Sequence, residues 1–150
     1  ENKYAGDLEA ICGGAPGESE YVDSQYTMRS PLTVLAAARG LPVEICAGVH
    51  DGHTGSVPVS HTLRGFNMLA EANGMPEKKL SPDEIDYFVT REKTPPGLAG
   101  ELPEDPAYES NPVLFRREAG PARVTVFEGG HQILPAAALQ WLSTHSKGRL

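Results

Sequence analysis

The stretch LPVEICAGVHDGHTGSVPVSHTLRGFNMLAEANG, residues 41–74, places an apolar segment, an acidic loop and an amphipathic segment in direct succession. The apolar run from Pro42 to Val49 is short and rich in β-branched residues, which is typical of a strand buried on both faces of a parallel sheet. Asp51 follows at once, and residues 52–58 are predicted to form a loop at the carboxyl end of this strand. Ligands and catalytic groups of open α/β sheets gather at that edge, so Asp51 is a candidate site residue.

A helix is predicted after this loop, beginning at Val57 or Pro58 and ending near Ala72. Its apolar residues recur every three or four positions and therefore share one face. They are Val59, Leu63, Phe66, Leu69 and Ala70. Asn73 and Gly74 supply the stop signal.

Before the central stretch, residues 7–12 (DLEAIC) are interpreted as a short strand, and the glycines and proline that follow as a turn. A helix is predicted from Pro31 to Arg39, with Ser30 as its N-cap and Gly40 as its stop. A strand then follows directly. This alternation of helix and strand predicts an α/β fold in which parallel strands are flanked by helices.

After the central stretch, Ser81 is the predicted N-cap of a helix that lasts to about Arg91. Residues 93–112 are rich in proline, glycine and acids and are predicted to form a long exposed loop. The apolar segments 113–117 and 123–127 flank a turn sequence and are predicted to pair as two strands. A last helix is expected over residues 135–145.

Length and composition indicate one ordinary globular domain of 150 residues, with 39% hydrophobic and 22% charged residues. A formal net charge of -7 without a Lys/Arg run argues against nucleic acid and anionic membrane as partners. No apolar run approaches the roughly 20 residues of a membrane helix. Cys12 and Cys46 are expected to be buried free thiols, and the cellular compartment stays open.

Two predicted strand ends each carry one polar residue of catalytic type, Asp51 and, much later, His131 after two glycines. An acid followed by a histidine is the end of the order nucleophile, acid, histidine found in α/β-hydrolases. The chemistry requires both, because a carboxylate that holds one ring nitrogen of a histidine fixes the tautomer that takes a proton from the nucleophile. Asp51 and His131 are therefore the candidate catalytic residues.

Three segments together resemble the prolyl-oligopeptidase-like group of α/β-hydrolases, which includes dipeptidyl and acylaminoacyl peptidases and related esterases. These segments are YTMRSPLTVL, the central stretch and VTVFEGGHQILPAAALQWL. The matching positions are Arg29, Ser30, Pro31, Gly48, Asp51, Val57, Pro58, Glu128, Gly129, Gly130 and His131. The resemblance implies that residues 1–150 are the C-terminal portion of one α/β-hydrolase domain. It further implies a serine hydrolase that acts on a small peptide or ester without a cofactor.

The family's Gly-x-Ser-x-Gly nucleophile elbow is absent from the chain. The serines Ser24, Ser30, Ser56 and Ser60 occupy loop or cap positions and are poor nucleophile candidates. We therefore expect the nucleophile and the oxyanion hole to come from a missing N-terminal part or from another chain. The first residue, Glu1, is not methionine, which fits a processed or trimmed piece. Half a sheet exposes an apolar edge, so association with the missing half, another chain or a second copy is expected.

Two other functions remain open at this stage. A chain without a nucleophile can be a non-catalytic fragment or interaction module of the same fold. Alternatively, His50, Asp51, His53 and His61 lie close in sequence, and such residues can hold zinc or another divalent metal. In the hydrolase interpretation, His53 either contacts substrate or is simply exposed.

Charged residues in the predicted strands are expected either to form ion pairs or to be solvated. Glu44 lies inside a strand that is predicted to be buried, and Arg29 or Arg64 is its expected partner. Arg116 and Arg117 are expected to lie on a solvated strand edge.

Overall fold

The computed structural model describes residues 4–100, 102 and 104–145. The described residues form a mixed α/β fold in which helices surround a three-stranded sheet. The helices are α1 (Ala5–Cys12), α2 (Glu20–Arg29), α3 (Leu32–Leu35), α4 (Val59–Ala72), α5 (Pro82–Arg91) and α6 (Pro135–Thr144). The strands are β1 (Val43–Gly48), β2 (Val113–Ala119) and β3 (Ala122–Phe127). The predicted α/β class is confirmed.

The strands lie in the order β1-β3-β2, with β3 in the centre. β1 pairs with β3 in parallel, from Val43 opposite Ala122 to Gly48 opposite Phe127. β2 pairs with β3 antiparallel, as the predicted hairpin requires, because only two residues separate them. Gly120 adopts the positive φ of 62° that this tight turn needs. The sheet is therefore mixed, with the parallel pair β1–β3 and the antiparallel pair β2–β3.

The core lies between one face of this sheet and the apolar face of α4. Leu63, Phe66 and Phe88 are fully buried there, and Phe88 packs against Phe115 with ring centroids 5.4 Å apart. Burial of each such side chain contributes about 1.5–3 kcal/mol. The helical periodicity after Asp51 thus predicted the face of α4 that is buried.

The predicted helix signals after residue 57 are confirmed. Ser81 caps α5 through a capping box, in which its hydroxyl accepts from the Glu84 N–H and the Glu84 carboxylate accepts from the Ser81 N–H. α6 begins at Pro135 and ends at Thr144. Residues 93–112 are largely irregular, with short 3₁₀ turns at Pro96–Leu98 and Pro106–Tyr108, and residues 101 and 103 lie outside the described part.

The N-terminal predictions are partly wrong. Residues 7–12 belong to a helix and not a strand, and this helix ends at Gly13, whose φ of 86° provides a left-handed C-cap. Helix α2 was not predicted from the sequence. It begins after its N-cap Ser19, whose hydroxyl accepts a hydrogen bond from the Val22 N–H. The helix predicted over residues 31–39 is only α3 followed by a 3₁₀ turn at Ala36–Ala38.

β1 is not buried on both faces as predicted. Val43, Glu44 and Ile45 are only half-buried and Cys46 is exposed. Grooves lie against both faces of β1, one at Cys46 and one at Ile45, and among the described strands only β3 borders it. Both cysteines are free as predicted, but only Cys12 is buried. No helix in the described ranges is long and apolar enough to cross a membrane.

Candidate active site

The site is built where β1 and β3 end side by side. Beyond the last paired residues, the Val49 N–H donates to the Phe127 carbonyl and the His50 N–H donates to the Gly129 carbonyl, each at 2.9 Å. Parallel pairing brings both carboxyl ends to one edge. The loop that carries Asp51 and the turn that carries His131 are thereby held next to each other.

Asp51 and His131 meet in this arrangement. Oδ2 of Asp51 lies 2.9 Å from Nδ1 of His131. The Asp51 side chain is only 8% exposed, whereas that of His131 is 57% exposed. A buried carboxylate therefore holds a histidine whose ring remains accessible to a reactant.

The start of α4 fixes the Asp51 carboxylate. Its Oδ1 accepts a hydrogen bond from the Val57 N–H at 3.2 Å, and the Asp51 main-chain carbonyl accepts from the Val59 N–H at 3.2 Å. Val59 is the first residue of α4, so its N–H has no partner within the helix, whereas Val57 lies just before the helix. Asp51 thus lies buried as a carboxylate with both oxygens hydrogen-bonded.

The hydrogen bond to Asp51 determines which tautomer His131 adopts. An ionised carboxylate only accepts, so Nδ1 must carry the proton that it donates to Asp51. The neutral ring then has its basic lone pair on Nε2. This is the tautomer that a general base needs.

Glycines allow the Asp51 loop and the His131 turn to approach closely. The most important of them, Gly55, was not predicted from the sequence. A Cβ at Gly55 would clash with Cβ of His131 and Oδ1 of Asp51. A Cβ at Gly48 would clash with the main-chain carbonyls of Gly129 and Gly130. Gly55 had no distinguishing signal in the sequence beyond its place in the Asp51 loop.

His50 and His53 have partners other than substrate or metal. His50 contacts Glu92 through Nδ1 and Glu128 through Nε2, both at 2.6 Å. The hydrogen bonds to Glu128 and Glu92 raise the pKa of His50. Nε2 of His53 lies 2.7 Å from the Val89 carbonyl, and its side chain is 43% exposed. The proposed substrate contact of His53 stays a prediction.

The described side chains do not form a set of metal ligands. His61 lies exposed on the first turn of α4, where it lines a groove toward α1, α2 and α3. Throughout the described part of the chain, no three His, Cys, Asp or Glu side chains converge in a way that would hold a metal ion.

The partner of Glu44 is neither Arg29 nor Arg64 but Arg123, which lies directly opposite it in the β1–β3 ladder. Nε of Arg123 donates to the Glu44 carboxylate at 2.8 Å, and the Thr125 hydroxyl donates at 2.9 Å. Burial raises the pKa of Glu44, but these hydrogen bonds outweigh it and hold the pKa below its usual range.

The prediction of a solvated edge is wrong for Arg116. Its side chain is 17% exposed and forms an ion pair with Asp105 at 2.8 Å. This pair fastens the long loop to the sheet. Arg117 donates to the main-chain carbonyl of Lys78 at 3.2 Å.

Within the residues that the structure describes, no serine, threonine or cysteine side chain hydrogen-bonds to His131, whose Nδ1 contacts Asp51. Ser56 contacts the Tyr4 hydroxyl at 3.3 Å, and the Ser24 hydroxyl donates to the Tyr21 carbonyl. Ser30 ends α2, and Ser60 is buried within α4. The Asp51–His131 pair therefore lacks a serine partner in this part of the chain.

Comparison of the chain with protein-family models, curated proteins and solved structures finds no match.

Proposed function

We propose that this chain supplies the acid and the histidine of a Ser-Asp-His triad in a serine hydrolase of the peptidase or esterase type. One observation carries the proposal, namely the 2.9 Å contact between Asp51 and His131 at the carboxyl ends of two parallel strands. The fold proposed with it is the C-terminal part of an α/β-hydrolase sheet.

In this mechanism His131 is the general base. Its Nε2 takes the proton from a serine hydroxyl as the hydroxyl oxygen attacks the carbonyl carbon of a peptide or ester. Asp51 stabilises the imidazolium that forms. His131 then gives the proton to the leaving amine or alcohol, and a water molecule releases the acyl group by the same route.

The nucleophile and the oxyanion hole are proposed to come from an N-terminal part or a partner chain that completes the sheet at β1. Open space on both faces of β1 supports this. A groove of about 340 Å³ lies against Cys46 and Trp141 on one face, and one of about 660 Å³ lies against Ile45 on the other. A neighbouring strand with a helix on each side would fill the edge and both grooves.

A second candidate function is a non-catalytic module of the same fold. Within the described residues, no serine hydrogen-bonds to His131, which favours this alternative. Such a module would use the same β1 edge for association and would leave His131 without a reactant.

A serine-reactive fluorophosphonate probe tests the proposal. We expect labelling of the longer polypeptide or partner chain that carries the serine, and loss of labelling when His131 is changed to Ala. Asp86→Ala is the control, because Asp86 lies exposed on α5, outside the pair and outside both grooves. Labelling that persists in His131→Ala, or a complete assembly that never labels, would favour the non-catalytic module.

A further inference from the structure

We propose that His50 is a positioning residue whose imidazolium, held between Glu92 and Glu128, clamps the Asp51 loop to the turn that carries His131. The clamp adds a positioning residue to the proposed hydrolase site, and its effect on catalysis rests on the proposed function. Its structural part stands independently.

Hydrogen-bond stoichiometry is the first argument. Both ring nitrogens of His50 lie 2.6 Å from a carboxylate oxygen. A neutral imidazole has one N–H, and an ionised carboxylate has none to give, so a neutral ring satisfies only one of these contacts. An imidazolium donates to both, and such charge-assisted bonds are the shorter and stronger kind.

The three elements that meet at His50 give the second argument. His50 directly precedes Asp51, Glu128 lies three residues before His131, and Glu92 is the C-cap of α5. Glu92 adopts a left-handed conformation with φ of 50°, which is uncommon for a residue other than glycine. The ring therefore joins the acid loop, the histidine turn and the end of a helix.

Main-chain bonds make His50 the junction between the two loops. Its N–H donates to the Gly129 carbonyl at 2.9 Å, and its carbonyl accepts from the N–H groups of His53 and Thr54 at 3.1 Å. A displacement of His50 would thus move both sides of the Asp51–His131 contact. Misplacement of a catalytic group by about 1 Å can lower the rate roughly a hundredfold.

The charges around His50 are predominantly negative. Glu92 faces it from α5 and Glu128 from the end of β3, while Asp51 is its neighbour in sequence. On its own loop, Nδ1 of His53 lies 3.8 Å from Glu92. Within the described ranges, no lysine or arginine forms an ion pair with Glu92 or Glu128. The imidazolium is the positive charge that the two glutamates share.

The pH dependence follows from the raised pKa of His50. The clamp is complete below the ordinary histidine pKa of about 6.5, and it is lost as the pH rises through the higher pKa of the folded chain. The hydrolase should therefore lose activity as the pH rises through the raised pKa of His50.

Histidine ring NMR tests the clamp without any activity measurement. In the ¹⁵N-labelled chain, in the assembly in which it is isolated, we expect His50 to titrate above the ordinary histidine pKa of about 6.5 and to carry a proton on both ring nitrogens below that pH. Glu128→Gln and Glu92→Gln should each lower the His50 pKa. His50→Gln should weaken the Nδ1–H signal of His131 and speed its exchange with water, whereas His50→Arg, which keeps a positive donor, should preserve it at all pH values. Glu77→Gln, at an exposed glutamate outside the clamp and both grooves, is the control.

The clamp is overturned if His50 titrates at or below about 6.5, the ordinary histidine value, or if His50→Gln leaves the His131 signal unchanged. If the assembly hydrolyses a substrate, His50→Gln should lower kcat/KM roughly tenfold to a hundredfold, and His50→Arg should remove the alkaline decline. If fluorophosphonate labelling fails but the NMR results hold, the clamp is established and only the hydrolase proposal falls.

Discussion

Asp51 and His131 are 80 residues apart in sequence, yet Oδ2 of the first lies 2.9 Å from Nδ1 of the second. The parallel pairing of β1 with β3 brings them together, and Gly55 leaves room for the contact. The hydrolase proposal depends on that relationship.

Replacement of Asp51 by Asn should nearly abolish activity in the complete hydrolase. The Asn amide can donate to Nδ1 of His131 and so favours the wrong tautomer, for which a loss of about 10⁴ in kcat is expected. Steady-state kinetics on a peptide or ester substrate would measure it. Asp86→Asn, on the exposed side of α5, should change little. Equal losses in both variants would contradict the assigned role of Asp51.

Replacement of Gly55 by Ala should separate Asp51 from His131. The added methyl group meets both side chains, and such overpacking costs about 1–3 kcal/mol of unfolding free energy. Urea denaturation would measure the loss, and the Nδ1–H resonance of His131 would report the broken contact. Gly97→Ala is the matched control, because a Cβ there has nothing within 4 Å. An intact resonance in Gly55→Ala would refute the packing role.

Replacement of Arg123 by Leu should destabilise the fold far more than loss of a surface ion pair. The Glu44 side chain is 5% exposed, and an uncompensated buried charge costs about 3–5 kcal/mol. The exposed pair of Lys79 and Glu71 is the control, and Lys79→Met should cost at most about 1 kcal/mol. Denaturant unfolding at pH 7 would compare them.

The ion pair of Glu44 with Arg123 also predicts how the free energy of unfolding depends on pH. Because its pKa is lowered in the fold, Glu44 contributes stability above its unfolded pKa of about 4.3, and this is lost as the pH falls through the lower folded value. The cost of Arg123→Leu should therefore shrink in acid, where the carboxyl is neutral. In the double variant Glu44→Leu, Arg123→Leu, most of the stability should return. A cost independent of pH would point instead to the packing of Arg123 over Trp141.

The isolated chain is expected to associate through its exposed apolar surface. Ile133 and Leu142, at the groove beside β1, are 84% and 66% exposed. Their replacement by Glu should prevent association, which size-exclusion chromatography with light scattering would detect. Met68→Glu, an exposed position outside both grooves, should have no such effect. A well-folded monomer of the unaltered chain would contradict the expectation.

Local patterns explain which elements were predictable. The spacing of apolar residues predicted α4 and its buried face, and the signals Ser81-Pro82 and Gly120-Pro121 predicted the start of α5 and the turn of the hairpin. The apolar run DLEAIC carries no such decisive signal, since a short run suits strand and helix alike. Its helix forms beside α2, with Cys12 buried.

The sequence by itself determined that an acid and a histidine each follow a strand, because strand ends and glycine turns can be recognised from local composition. Only the tertiary structure decided what those residues and their neighbours contact. The β1–β3 register set Arg123 opposite Glu44, and the meeting of three elements gave His50 its two glutamates. Such contacts join residues 42 to 80 positions apart, and no local pattern specifies them.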